Sequence, residues 1–464
     1  MLASRLRAFG KASGWKSSGR RVCIRCVLMR LRLSVGKGGL RFLMPILACS
    51  FALRLFLFPF DGYYIDMNDF KIWFHVAAEH PFSFYERTWS DYPPFNVYVF
   101  WLFGSIAAAL NLWGLPHFVV KLPANIFDVA TAALIFAMLR RSSDDERLAV
   151  FATAAYAFNP AIIFEAAVWG QMDAIYTFFA VLSFFLVLKG RLELSAASFA
   201  VAVLTKPQSV VALPPLLIYV ARRFFSVARR RKFVLRLTLS AFVFVAVCLL
   251  LVVPFVPPHG SGRLADRLAN VPEFLNEIYT EGYECYPYTS INAYNIWALF
   301  LGGFWRPDGQ KFLWLSYRTY GVLMFCMLVV IVLFSLWRRL PKDEDEKPAE
   351  VEILAFSTFL MFFSFFMTMT RMHERYLFPA FAFLALALWR RASWAIYAGL
   401  TVTFFFNLCY VLRVLNAKSF IPDGDPSLLI IPLLNILLLF FSFLTFVWRS
   451  EPQLFIKASK IGEQ

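Results

Sequence analysis

The chain has 464 residues, 60% of them hydrophobic and only 16% charged, with a mean hydropathy of +0.62. Soluble domains carry roughly a quarter charged residues, so composition excludes a soluble enzyme and leaves no room for a sizeable soluble domain. The net charge of +16 is concentrated in residues 1–41, which hold eleven Lys and Arg and no acid; a juxtamembrane anchor under the positive-inside rule explains that run better than nucleic-acid binding does.

In chain order, residues 1–38 form a basic arm expected to be disordered and cytoplasmic. The arm is also Ser-containing and acid-free, as organellar transit peptides are, and Met29 and Met44 offer later starts. Cys23 and Cys26 make a lone CxxC with no second pair to complete a zinc site. Apolar runs of about 20 residues, the length that crosses a bilayer as a helix, then recur along the chain. The first is Leu40–Phe60. An acidic, aromatic loop at 62–93 follows. Further runs are Phe95–Trp113, Phe118–Leu139, Leu148–Phe164, Ala174–Leu188, Leu194–Val220 and Val234–Val253. A second polar loop occupies 254–316. Tyr320–Trp337, Val351–Met369, Leu377–Leu388, Trp394–Val411 and Leu428–Val447 complete the bundle. The expected architecture is an all-α polytopic membrane protein with about 12 transmembrane helices. The transmembrane domain covers 39–450, loops 62–93 and 254–316 lie outside, and 451–464 is a cytoplasmic tail. Between 94 and 221 two topologies compete. If every apolar run crosses, Arg140-Arg141 lies outside and Trp169–Asp173 inside. If the basic residues are honoured, 95–113 is re-entrant and 194–220 is two half-helices broken at Lys206-Pro207.

Ionisable groups at the membrane edge are costly and mark candidate sites. Asp66 and Asp69, with Trp73 seven residues after Asp66, could supply the base that takes a proton from an acceptor hydroxyl; helix capping is the plainer role. Asp91 and Tyr92 precede Pro93-Pro94, where Asp91 could orient the loop, contact a sugar or cap a helix. Trp169, Gln171 and Asp173 suit sugar stacking and hydroxyl bonding, or an interfacial turn. Lys206, beside Gln208, could meet a lipid phosphate or snorkel to the interface. Arg371, His373 and Arg375, with Glu374 between, could grip a phosphate. The five His residues are scattered and make no metal-ligand set, and no P-loop, GxSxG or HExxH occurs.

Taken together, DMNDFKIW at 66–73, SDYPPF at 90–95, WGQMDAIY at 169–176, LTKPQ at 204–208, SINAYNIWAL at 290–299 and RMHERYLFP at 371–379 resemble the GT-C superfamily of polyprenyl-phosphate-sugar-dependent glycosyltransferases. The branch most similar is that of the GPI-anchor second mannosyltransferase. The resemblance implies a polyprenyl-phosphate-hexose donor, most often mannose, a lipid or glycan acceptor, and inversion by direct displacement. It implies Asp66, or Asp69, as base. His373 and Arg375 would hold the donor phosphate, with Arg371 and Lys206 behind them. Asp91, Tyr92, Trp169, Gln171, Asp173, Gln208, Asn292, Asn295 and Glu374 would contact substrate. No metal, cofactor or nucleic acid is expected. A polyprenyl-phosphate-glucose-dependent enzyme and a non-catalytic lipid flippase remain the alternatives. Either a bacterial plasma membrane or an eukaryotic endoplasmic reticulum would suit, with the site on the extracytoplasmic or lumenal face.

Overall fold

A computed structural model describes residues 37–143, 145–226, 229–257, 264–341 and 347–448. The basic arm, its CxxC and the tail therefore lie outside the described residues. All the apolar runs fold as helix: α1 (Lys37–Leu57), α2 (Tyr64–Glu79), α3 (Pro94–Ala109), α4 (Pro116–Ser142), α5 (Glu146–Ala157), α6 (Asp173–Leu188), α7 (Leu192–Thr205), α8 (Leu213–Ser226), α9 (Arg230–Val252), α10 (Leu264–Glu284), α11 (Ile296–Leu301), α12 (Tyr317–Arg339), α13 (Lys347–Thr368), α14 (Phe378–Ala385), α15 (Arg391–Asn416) and α16 (Ser427–Val447). Among the described residues, seven stretches are long and apolar enough to cross a membrane, or eight if the bent pair Glu146–Ala157 and Pro160–Trp169 counts as one span.

The acidic stretch at 62–93 is not an open loop. Met67, Phe70, Trp73, Phe74 and Ala77 repeat at helical spacing and are buried on one face of α2. Its first turn carries Asp66, where a carboxylate complements the helix dipole. The 254–316 stretch likewise contains α10 and the short α11.

The contacts decide the course of residues 94–221. α3 begins beside the end of α7, where Asn96 Nδ2 donates to the Thr205 carbonyl. The chain after α3 returns to the end of α1, where Lys121 Nζ donates to the carbonyls of Phe58 and Phe60. The start of α3 and the start of α4 thus lie at the same end of the bundle. Pro207 removes a backbone donor and biases Lys206 towards extended backbone (φ −157°, ψ 124°), so 194–220 breaks into α7 and α8. By length and hydropathy α4, α8 with the turn before it, α9, α12, α13, α15 and α16 qualify as spans, while α3, α6 and α7 are apolar but shorter.

One end of this bundle gathers Gly62, Trp169, Asn416 and the 371–376 turn. The other gathers Arg223 with Glu350, Arg390 with Glu352, and Arg339 with the Phe446 carbonyl. α13 is almost wholly buried and α14 entirely so, and their phenylalanines fill the centre. α9 is mostly exposed along its length, as a lipid-facing helix would be.

Candidate active site

The site is assembled from four chain reversals at one end of the bundle. The first turn of α2 presents Asp66, whose Oδ2 accepts from Trp169 Nε1 (2.9 Å) and Gln171 Nε2 (2.6 Å). Both donors come from the turn that ends a six-residue π-helical stretch, Phe164–Trp169. Gly170 closes that turn in the left-handed region (φ +89°), and the amides of Gly170 and Gln171 both donate to the Glu165 carbonyl. Glycine is required at position 62 for a different reason: a Cβ there would run into the Trp169 carbonyl. That close approach is what brings α2 against the Trp169–Gln171 turn.

Two residues further on, Asp173 opens α6. Both of its carboxylate oxygens accept from Lys206 Nζ, at 2.7 and 2.8 Å. Lys206 lies in the break between α7 and α8, so Pro207 aims it as well as ending the helix. Arg375 lies on the far side of Asp173, with Nε 3.9 Å from Oδ2, and its Nη1 donates to Glu374 Oε1 (2.8 Å). Tyr376 stacks near both cations, its ring centre 5.0 Å from Lys206 Nζ and 5.8 Å from Arg375 Cζ.

The 371–376 turn is clamped by the 284–317 segment. Strands Ser290–Ile291 and Met372–His373 pair in parallel, and Arg371 (φ +64°) donates its backbone amide to the Tyr288 carbonyl. The Arg371 guanidinium is committed to this clamp. It donates to Asp308 Oδ2 (2.8 Å) and to the Tyr283 carbonyl (2.6 Å) and lies 3.8 Å from the Tyr283 ring centre. His373 is buried between the rings of Tyr286 and Tyr376.

A cavity of about 720 Å³ opens in front of these groups. Asp91, Tyr92, Lys206, Gln208, Arg371, His373 and Arg375 line its polar end. Phe325, Cys326 and Val329 of α12, Met361 and Phe365 of α13, and Val210 and Pro214 at the head of α8 line the rest. The apolar part leads out between α8 and α12, past the exposed Cys326.

Of the residues expected at the site, Asp66, Trp169, Gln171, Asp173 and Glu374 do not line this cavity but connect to it through Asp173–Lys206 and Arg375. Asp69, one turn along α2, is half-buried and feels the charges of Asp66 and Asp91. Asn292 and Asn295 are placed differently from the expectation that they line the sugar site. Asn295 Oδ1 caps α11 by accepting from the amides of Trp297 and Ala298. Asn292 (φ +60°) accepts from Trp305 Nε1 and gives its carbonyl to Asn407 Nδ2. Both brace the clamp, which is what asparagine's short amide and tolerance of the left-handed region suit.

One residue escaped the sequence reading. Glu165, in the π-helical stretch, is fully buried, and neither of its carboxylate oxygens has a hydrogen-bond partner. The signal was available: an acid inside an apolar segment is a site candidate, and π-turns concentrate at functional positions. In sequence it falls just after the apolar run ending at Phe164.

The electrostatics follow from burial. Desolvation raises the Asp66 carboxyl above its ordinary value, opposed by the positive charge of Arg375 and the bonds from Trp169 and Gln171. Desolvation also raises Asp91, opposed by Arg375 and Lys206. His373 is pushed well below its ordinary value by burial and then by the same two cations, which favours the neutral imidazole. Among the described residues, no group of three or more His, Cys, Asp or Glu is arranged to hold a metal ion.

Residues 89–369, more than half of the chain, match glycosyltransferase family 87. The chain belongs to that family. The match spans Asp91, the Trp169–Asp173 turn and Lys206 but stops short of Asp66 on one side and of Arg371–Tyr376 on the other. Asp66 and Arg375 thus lie outside the part of this family 87 glycosyltransferase that the family match covers. No curated protein matches the chain. Among solved structures it is similar to an Archaeoglobus fulgidus oligosaccharyltransferase tethered to an acceptor peptide, at 16% identity and a TM-score of 0.41, over 88% of this chain and 56% of that one.

Proposed function

We propose that this membrane glycosyltransferase moves a hexose, mannose by the sequence resemblance, from a polyprenyl-phosphate donor to a lipid-linked or glycan acceptor, with inversion. The observation that carries the reading is the cavity, which has a cationic polar end and one long apolar groove opening towards lipid. A donor with a phosphate and an isoprenoid chain matches both halves. Arg375 and Lys206 would stabilise charge building on the departing phosphate, and neutral His373 would donate a hydrogen bond to it. Enclosure by Tyr92, Tyr286 and Tyr376 would limit water and so donor hydrolysis.

Asp66 is the proposed general base. Trp169 and Gln171 fix its Oδ2, and Oδ1 takes none of these bonds and is left for the acceptor hydroxyl. Its raised pKa brings it closer to the range in which a base is efficient. A second reading makes Asp91 the base. It is favoured by one observation, that Asp91 lines the cavity and Asp66 does not. The site would face the extracytoplasmic or lumenal side, because the arginine-rich end of the bundle obeys the positive-inside rule when it is cytoplasmic.

The test is transfer by the purified full chain from polyprenyl-phosphate-mannose or polyprenyl-phosphate-glucose to a lipid extract, with the product mass measured. Addition of one hexose to an extract component, dependent on one donor, is expected. Donor binding without transfer from either sugar would overturn the enzyme reading in favour of a lipid flippase. Asp66→Asn and Asp91→Asn, assayed side by side, decide which carboxylate is the base.

A further inference from the structure

Helices that leave the active site converge again on a second cavity at the other end of the bundle. α6 runs from Asp173 to Leu188, and its 16 residues span about 24 Å. α4 runs from Lys121 to Arg140-Arg141, α8 leaves the Lys206 break and carries Arg223 in its last turn, and α13, whose other end is Thr368, carries Glu350 in its first turn. The space between these ends is a cavity of about 520 Å³ lined by the cations Arg141, Lys189, Arg223 and Arg236, with Glu350 as the acid among its lining residues.

Two of the four cations are neutralised. Arg223 Nη2 lies 2.5 Å from Glu350 Oε1. Arg236 forks onto Glu193, with both bonds at 2.7 Å, and also donates to the Gly190 carbonyl. Arg141 and Lys189 have no carboxylate within ion-pair distance among the described residues. Lys189 stands instead over the ring of Phe185, 4.0 Å from its centre. Burial, followed by the neighbouring guanidinium groups of Arg141 and Arg191, pushes the Lys189 ammonium below its ordinary value. Like charges held together in a half-enclosed space lack an anion. The rest of the wall includes Leu188, Val220 and Phe233, and Phe233 belongs to the lipid-facing α9.

We propose that this cavity binds the headgroup of an anionic phospholipid, its phosphate seated on Arg141 and Lys189 and its acyl chains running out along α9. A phosphate group supplies the missing charge. The apolar half of the wall and the lipid-exposed helix beside it select a lipid phosphate over a free one. The site is separate from the transfer site by the length of α6 and does not depend on the reaction assigned there.

The purified full chain is placed in mixed micelles of phosphatidylcholine and phosphatidylglycerol, and the lipids it retains are counted by native mass spectrometry. The wild type is expected to retain phosphatidylglycerol selectively. Arg141→Gln with Lys189→Gln is expected to lower that retention about thirtyfold, at roughly 1 kcal/mol per cation. The exchange Arg141→Lys with Lys189→Arg keeps the charges and is expected to keep the lipid. Arg338→Gln, at the same end but outside the cavity, is expected to change nothing. Equal loss in Arg338→Gln would mean diffuse surface attraction and overturn the site. So would unchanged retention in the double glutamine variant, or displacement of the lipid by inorganic phosphate alone.

Discussion

Two clusters of buried charge sit in the same bundle, and they are satisfied to different degrees. The first joins α1, α4 and α5. Arg54 donates from Nε to Asp128 Oδ2 (3.1 Å) and from Nη1 to the Ala157 carbonyl (2.8 Å), and Tyr156 donates its hydroxyl to Asp128 Oδ1 (2.7 Å). Ser50 adds a bond to the same Ala157 carbonyl. Arg54, Asp128 and Tyr156 are fully buried, and none of them leaves a polar atom unpaired. The second cluster is the one proposed above as the transfer site. There Arg375 Nε, Gln171 Oε1, Gln208 Oε1 and both oxygens of Glu165 are buried without hydrogen bonds. Such atoms cost free energy unless something supplies the missing bonds. The first cluster is a finished clamp; the second holds hydrogen-bonding capacity in reserve for a substrate.

The comparison predicts that substitutions in the two clusters separate activity from stability. The largest effect on activity is expected from Asp66→Asn, which should lower kcat by about 10²–10⁴-fold, the usual contribution of a general base. Protein yield and donor binding should persist, and both can be measured on the same preparation. If Asp66→Asn kept full activity and Asp91→Asn lost it, the base would be the carboxylate that lines the cavity.

Arg54→Ala should do the converse. It leaves Asp128 buried without its cation, an uncompensated charge that costs about 3–5 kcal/mol. A lowered midpoint of thermal unfolding in detergent is expected, with kcat per folded molecule unchanged. A fall in kcat matching that of Asp66→Asn would abolish the distinction between clamp and site.

Arg375→Gln comes next. Removing a cation aimed at a developing phosphate charge should cost about 10²–10³-fold in kcat. Because Arg375 opposes the upward shift of Asp66, the same variant should also move the acid limb of the pH profile upward. Stability loss without loss of rate would place Arg375 with Arg54, as a structural ion.

Much of this arrangement was legible before the fold was known, because in an apolar chain each polar group stands out. Asp66, Trp169–Asp173, Lys206 and His373–Arg375 all drew attention in this way, and they do converge. What sequence hid has physical causes. α3 is as apolar as a crossing helix, and only the Asn96 and Lys121 bonds reveal that α3 and α4 start at the same end of the bundle. α2 reads as loop in sequence because acids share its turns with a buried helical face. Asn292 and Asn295 look the same in sequence whether they bind a sugar or brace a turn, since the amide donors and acceptors are identical in both roles. Glu165 needed the π-helical register to show that it points inward, towards the charge of Asp173.

The smallest predicted effect tests the reserve capacity most directly. Gln171 donates to Asp66 Oδ2, and a bond to the charged form holds the carboxyl pKa down against burial. Gln171→Leu removes that opposition, so the pKa climbs. The base is active as carboxylate and is lost as pH falls through its pKa, so the acid limb of kcat/KM should move to higher pH. Trp169→Phe should move it the same way, for the same reason. The alkaline plateau should fall less than in Arg375→Gln, since the carboxylate itself remains. An unmoved limb in both variants would mean that the titrating base is not Asp66. The limb should then respond to Lys206→Met, because Lys206 and Arg375 are the cations that hold Asp91 down.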